Sequence, residues 1–222
     1  MDLSKSREYF NPHDVNKRCH IIGCGSIGST LAVMLAKMGM SKFALYDFDK
    51  VEEHNIVNQM FSTKDVKTYK VDALKKIIED INPNADITIY KDGWVPGRKL
   101  SGYVFLAVDK IATRKQICEE NLTNNSIKIV MDFRTELESA QHYAADWSNM
   151  TSKKKLIATM DFTDQEASDA TPKSACGVTL GVFPTVASIC SLGVSNFINW
   201  IRKDILEEFV MMSPFYFNII NE

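Results

Sequence analysis

The chain has 222 residues, 45% hydrophobic and 24% charged, with a formal net charge of −2. That length suits one large domain or two small ones, and the balance is that of an ordinary soluble globular protein. So small a net charge gives no global field to attract DNA, RNA or an anionic membrane, and no apolar run approaches the roughly 20 residues that span a bilayer. Met1 to Phe10 is polar and mixed in charge, unlike a secretory signal, so a cytoplasmic protein is expected. The five cysteines, Cys19, Cys24, Cys118, Cys176 and Cys190, form no C-x-x-C pair. Neither a disulfide framework nor a zinc site is expected from that spacing.

In chain order, Cys19 to Ile22 is a short apolar run that stops at a glycine cluster. Ile27, Leu31, Val33, Met34, Leu35 and Met38 then form a helical stripe closed by Gly39, and Lys42 to Asp47 reads as a second strand. Strand, glycine turn, helix and strand make one βαβ unit, which requires a parallel pair. A helix is predicted over about Lys70 to Ile81, ended by Asn82-Pro83, then strands at Ile87 to Tyr90 and Tyr103 to Val108. A helix from about Ile111 to Asn121 and a strand at Ile127 to Met131 continue the alternation. The expected fold is therefore α/β, a Rossmann-like open, mainly parallel sheet with helices on both faces and a C-terminal antiparallel extension.

Beyond Ser139 the pattern changes. Ala140 to Ala145 reads as a strand, antiparallel in one reading. The polar stretch Ser148 to Ser174, with Lys153-Lys154-Lys155, lacks clean periodicity and reads largely as a mobile loop, with a further strand conceivable within Leu156 to Phe162. Thr179 to Ile201 is a long apolar helix, interrupted or kinked near Pro184, and Phe215 to Ile219 a final strand.

Gly23, Gly25 and Gly28 fit G-x-G-x-x-G between a strand and a helix. The first permits a tight turn, the second lets a phosphate approach the backbone, and the third allows close helix packing. The helix start, with Ser26, then offers N–H groups and positive dipole to an anion. Asp47, 19 residues beyond Gly28, ends the second strand where a carboxylate accepts from ribose hydroxyls. A ribose-phosphate ligand follows, and both ATP and NAD qualify.

Asp47 to Gln59, with Asp49, Asn55 and Gln59, resembles the D-x-D-x-V-x-x-x-N-x-x-R-Q segment of the ThiF/MoeB/HesA family, relatives of ubiquitin-activating enzymes. Thr68-Tyr69-Lys70-Val71-Asp72-Ala73 is similar to that family's G-x-x-K-x-x-A helix start, Ala107-Val108-Asp109 to its D-x-T-D-N ending, and Arg114 to a recurrent family arginine. The resemblance spans about Arg18 to Trp200. It implies one adenylation domain over residues 1–222, with a nucleotide-binding core at 18–135 and a crossover loop, long helix and sheet extension at 136–222. It implies an adenylyltransferase using ATP and Mg²⁺ to activate a carboxylate, the C-terminus of a ubiquitin-like or small protein or peptide, with release of pyrophosphate. By resemblance Asp47 holds the ribose, Asn55 and Lys70 contact phosphates, and Asp109 binds Mg²⁺. A homodimer is implied, with the apolar C-terminal helices as an interface. A tRNA substrate is less favoured by the near-neutral charge.

Three departures matter. Asn58 stands where most members have a phosphate-contacting arginine, and Lys110 replaces the asparagine after the metal ligand. The paired C-x-x-C zinc motifs are absent, so zinc is not expected. Arg7, inserted in trans from a second subunit, is a candidate replacement for the lost charge, and an arginine in a flexible terminus is the equal alternative. Ala175-Cys176-Gly177 resembles the family's cysteine neighbourhood. Cys176 is either a nucleophile favoured by a following helix dipole or an unused buried thiol. In Asp132-Phe133-Arg134, the arginine either reads a substrate carboxylate or pairs structurally with Asp132. Two rivals stand beside adenylation. One is a catalytically impaired partner subunit or scaffold, suggested by Asn58. The other is an NAD-dependent oxidoreductase, which leaves Asn55, Gln59, Lys70 and Asp109 without a shared purpose.

Overall fold

The computed structural model describes residues 1–15, 17–170 and 180–221. Eight strands form one sheet in the order β3-β2-β1-β4-β5-β6-β7-β8. They are β1 (Cys19–Ile22), β2 (Lys42–Tyr46), β3 (Asp86–Tyr90), β4 (Gly102–Leu106), β5 (Ile127–Thr135), β6 (Ala140–Asp146), β7 (Phe209–Ser213) and β8 (Asn218–Asn221). The first five run parallel, and from the β5–β6 pairing onward the sheet is antiparallel.

Alternation along the strands sorts side chains to two cores. Ile21, Leu45, Phe105 and Met131 face one side, and Ile22, Tyr46, Leu106 and Val130 the other. On the first face lie α1 (Ser26–Lys37), α2 (Lys70–Ile81) and the long α6 (Phe183–Lys203), and on the second α3 (Ile111–Glu120) and α4 (Met150–Ala158). Because α1 leaves β1 for one face and α3 leaves the adjacent β4 for the other, a crevice opens at the carboxyl ends of these strands. Open α/β sheets place ligands in such a crevice.

Four sequence expectations change. Within the polar stretch, residues 150–158 form α4 and α5 (Asp164–Ala170) follows, so the described part of the stretch is largely helical and Leu156 to Phe162 holds the end of α4 and a short turn in place of a strand. Asn149 nucleates α4, its Oδ1 accepting from the amides of Thr151 at 2.9 Å and Ser152 at 3.3 Å. Lys153 of the lysine run is buried, its ammonium 5.3 Å from the Trp147 ring centroid and donating to the Leu122 carbonyl at 2.7 Å. A stem that packs as a hydrophobe hides the helical period in a polar sequence. Second, Pro184 lies in the first turn of α6, where a missing N–H costs nothing, and begins the helix instead of kinking it. Third, β5 runs four residues further than predicted and takes in Asp132-Phe133-Arg134. Fourth, Phe215 to Phe217 form a turn, with Phe217 at φ 55°, between β7, which lacks a sequence signal, and β8, which begins only at Asn218.

Two buried histidines make the fold acid-sensitive. Burial, as the largest influence, pushes both His20 and His142 down to about 4. The amide of Ser101 donates to Nε2 of His20 at 3.3 Å, which leaves Nδ1 to donate to the Tyr46 hydroxyl at 2.8 Å. Neither ring nitrogen of His142 has a partner among the described residues. An unfolded histidine takes its proton near 6.5, so acid favours the unfolded chain; the stability is intact above that value and is lost as pH falls towards 4. His142→Leu removes one such group and two unsatisfied polar atoms. It is expected to raise stability by about 1–3 kcal/mol near neutrality, with a larger gain at pH 5, as read by thermal melting at both values. A gain that is equal at both would show that protonation is not the cause.

Candidate active site

The glycine loop is built at the carboxyl end of β1. Gly23 turns with φ 93°, and a Cβ there would lie 2.5 Å from the Ala107 carbonyl oxygen on the strand next door. At Gly28 a Cβ would overlap the Gly23 carbonyl, so α1 meets the loop through hydrogen alone. Gly25, the N-cap of α1, has nothing within 4 Å of the position a Cβ would take. It therefore faces open space beside the unpaired amides of the helix start, a cradle for an anion. Ser26 opens that helix, its carbonyl accepting from the Thr30 hydroxyl at 2.8 Å.

Asp47 follows β2 and closes one side of the loop. One carboxylate oxygen accepts from the Cys24 amide at 2.7 Å, the other from the Asp49 amide at 2.9 Å. Burial raises its pKa, and these two amides, together with Lys70, oppose that rise. Cys24 is wholly buried, and burial pushes its thiol up, so it is no nucleophile.

Lys70 starts α2 and is buried to its tip, where Nζ meets Asp49 Oδ2 at 2.9 Å. Its backbone amide also donates to the Asp49 carbonyl at 2.9 Å, so strand end and helix start are laced together. Asn55 lies in a short 3-10 turn, Glu53–Asn55, where its Oδ1 accepts from the Glu52 amide at 2.9 Å. Five residues further on, the chain is tied to α1 by the Met60 amide donating to Ser29 Oγ at 3.2 Å. Gln59 Oε1 is buried there without a hydrogen-bond partner among the described residues. Asn58 donates to the Gly181 carbonyl at 3.3 Å, just before α6.

Glycine loop, Asp47, Asp49, Lys70 and the Asn55–Gln59 turn thus join one corner of the molecule. Asp109 stands on its other wall, exposed, past the end of β4, whose neighbouring Ala107 touches Gly23. It is not the cap of α3, since Lys110 holds that position, and it makes no hydrogen bond or ion pair among the described residues. Arg7 is not brought to this corner. It is exposed in the N-terminal segment, where Leu3 and Pro12 lie against Gly39 at the far end of α1. Cys176 lies outside the described residues. Arg134 is bonded to Asp132 at 2.7 Å, the structural alternative of the two readings.

Sequence reasoning missed one cluster. The Arg98 guanidinium lies 4.3 Å from the Tyr90 ring centroid, Tyr90 stacks on Tyr46 at 4.6 Å, and Asp92 pairs with Arg98 at 2.7 Å. The aromatic residues at the ends of two predicted strands were the available signal, but the loop from Lys91 to Ser101 has no periodicity to orient it.

An open sheet that switches direction of crossover between β1 and β4, with a glycine cradle and flanking carboxylates at that point, defines a Rossmann-like α/β protein. The chain belongs to the ThiF family, whose model matches residues 15–209. It is similar to ubiquitin-like modifier-activating enzyme 5 of Bombyx mori, 36% identical over 74 residues, covering 33% of this chain and 19% of that enzyme. The same enzyme of Drosophila persimilis is 31% identical over 130 residues, covering 49% of this chain and 34% of the relative. The matched stretch is thus from a fifth to a third of those enzymes' length. Among solved structures, PaaA superposes with a TM-score of 0.73 at 19% identity over 93% of this chain and 64% of its own. MccB of E. coli, solved with ATP, gives 0.69 at 18% identity over 94% and 64%. Identities this low speak for the fold.

Proposed function

We propose that the chain binds ATP with Mg²⁺ and adenylates a carboxylate, the C-terminus of a ubiquitin-like or small protein or peptide. The observation that carries this reading is the open cradle at Gly25 with Lys70, Asp49 and Gln59 gathered on one side and Asp109 on the other. The donor set fits the ligands: amides and an ammonium for phosphates, a carboxylate for ribose hydroxyls, and an exposed carboxylate for a hard cation. Among the described residues no three metal-binding side chains converge. The cation would therefore take most of its ligands from phosphate oxygens and water, the usual habit of Mg²⁺. Bound there, Mg²⁺ supplies charge neutralisation at the reacting phosphate.

The glycine loop and Lys70 hold the triphosphate, and Asp47 fixes the ribose. The substrate carboxylate oxygen attacks the α-phosphorus, the acyl–phosphate bond forms, the α–β anhydride breaks and pyrophosphate leaves. Amides that are already directed at the phosphates stabilise this charge without reorganising. Asn58 supplies no cation, so Lys70 carries more of the load, joined in our reading by Arg7 of a second copy. Cys176 is the candidate acceptor for a following step, in which its thiolate takes the acyl group and AMP leaves.

The likeness to ubiquitin-like modifier-activating enzyme 5, and to MccB solved with AMPCPP and MccA, supports a protein or peptide substrate. For the homodimer, α6 already buries its apolar face within its own subunit. The β7–β8 hairpin, with Phe217 93% exposed beside Ile219 and Ile220, offers an apolar surface for it instead.

Thermal shift with ATP or NAD⁺, then pyrophosphate exchange dependent on candidate carboxyl-terminal peptides, tests the reading. Stabilisation by ATP over NAD⁺ and substrate-dependent exchange are expected. Preference for NAD⁺ would sink it. ATP binding without exchange would favour the impaired partner subunit, a reading that Asn58, turned to Gly181, specifically supports.

A further inference from the structure

Behind Asp109 lies a buried ionic lattice that the reaction does not directly use. Asp132, on β5, has no exposed surface and sits between two arginines. One of its oxygens takes the Arg134 Nε–H at 2.7 Å, and the other is paired with Arg114 Nη1. Arg134 is itself fixed, donating to the Thr159 carbonyl at 2.9 Å and the Thr159 hydroxyl at 2.8 Å, with its guanidinium 4.5 Å from the Tyr143 ring centroid. Arg114 reaches back from α3 to the loop from which α3 starts. Its Nε donates to the Val108 carbonyl at 2.7 Å, and Nη1 also donates to the Phe133 carbonyl at 2.6 Å.

Val108 immediately precedes Asp109, and the cap position after Asp109 has no side-chain bond of its own to hold the loop. The direction of the Asp109 backbone is therefore set by a guanidinium whose other arm is clamped to a buried carboxylate. A buried charge pair is weak as a source of stability, because desolvation offsets the attraction. Its planar geometry is strong as a source of orientation.

We propose that Arg114 is a positioning residue that aims Asp109 at the metal, acting through the Val108 carbonyl with Asp132 as its anchor. The proposal rests on the reading of Asp109 as the Mg²⁺ ligand given above. A lysine at 114 keeps the charge but has no fork with which to hold Val108, Phe133 and Asp132 together.

The test is calorimetric titration of the full chain with ATP, once with Mg²⁺ and once with EDTA, which gives a ratio of affinities for each variant. Arg114→Lys is expected to lower that ratio by about tenfold, the usual scale for a residue behind a metal ligand, with metal-free ATP affinity unchanged. Asp109→Asn is expected to lower it as far or further, and the double variant no further than Asp109→Asn alone, because the two act in series. Asp132→Asn serves as a second probe of the same lattice should Arg114→Lys fold poorly. A ratio lost in Asp109→Asn but kept in Arg114→Lys or Asp132→Asn, with only melting temperature lowered, overturns this proposal and leaves the metal site standing. A ratio unchanged in Asp109→Asn overturns the metal assignment and the proposal together.

Discussion

Gly28→Ala is expected to destabilise the protein by about 3 kcal/mol or more and to abolish ATP-induced stabilisation, whereas Gly25→Ala should fold normally and still lose the nucleotide. The two glycines differ in what surrounds them. At position 28 the added methyl would overlap the Gly23 carbonyl oxygen and press on Ile21 Cγ2 at 3.1 Å, one of them backbone of the loop itself. Neither neighbour is the free end of a flexible chain, so the first turn of α1 must lift from β1. At position 25 the methyl meets no protein atom within 4 Å, and φ of −76° is ordinary for alanine. It enters instead the space a phosphate would need. Melting curves with and without ATP read both effects. Equal ATP affinity in Gly25→Ala and the parent would show that the phosphates lie elsewhere.

Lys70→Met is the second large effect. The ammonium is nearly buried and has one carboxylate partner, Asp49, itself half exposed. Removing the charge from the unliganded protein should lower the melting temperature only modestly, because the half-exposed Asp49 regains water while the buried Asp47 keeps its two amide donors. ATP affinity should fall about 10- to 100-fold, the value of a hydrogen bond to a charged group in a site with no other nearby cation from the Asn58 position. Titration calorimetry measures it. Unchanged affinity would assign Lys70 to the Asp49 pair alone.

Much of the α/β frame was legible because each element there has a single unmixed signal. The stripe from Ala73 to Ile81 and the buried run from Tyr103 to Leu106 report their own periods, and Asn82-Pro83 and Gly39 mark ends. In α4 the signal fails, since a buried lysine and a buried serine stand at positions where a pattern reader expects apolar residues. At the C-terminus aromatic content misleads: Phe215 to Phe217 have strand-like propensity, but the chain must turn there for β8 to pair with β7. The corner that holds Asp47, Lys70 and Asn55 could be foreseen as a set, because their residue types and order carry it. Which of them bond to one another could not. The Asp47–Cys24 link spans 23 residues, and that of Arg114 to Asp132 spans 18, separations with no local period.

The doubly bonded Asp47 carboxylate also has a stereochemical arithmetic. A carboxylate offers about four lone-pair sites, and the Cys24 and Asp49 amides occupy two. Two sites are left, the number a cis-diol can use with its two O–H donors. If Asp47 anchors the ribose as proposed, these amides would align the acceptor before any sugar arrives, and the same negative charge would repel a sugar carrying a 2′-phosphate.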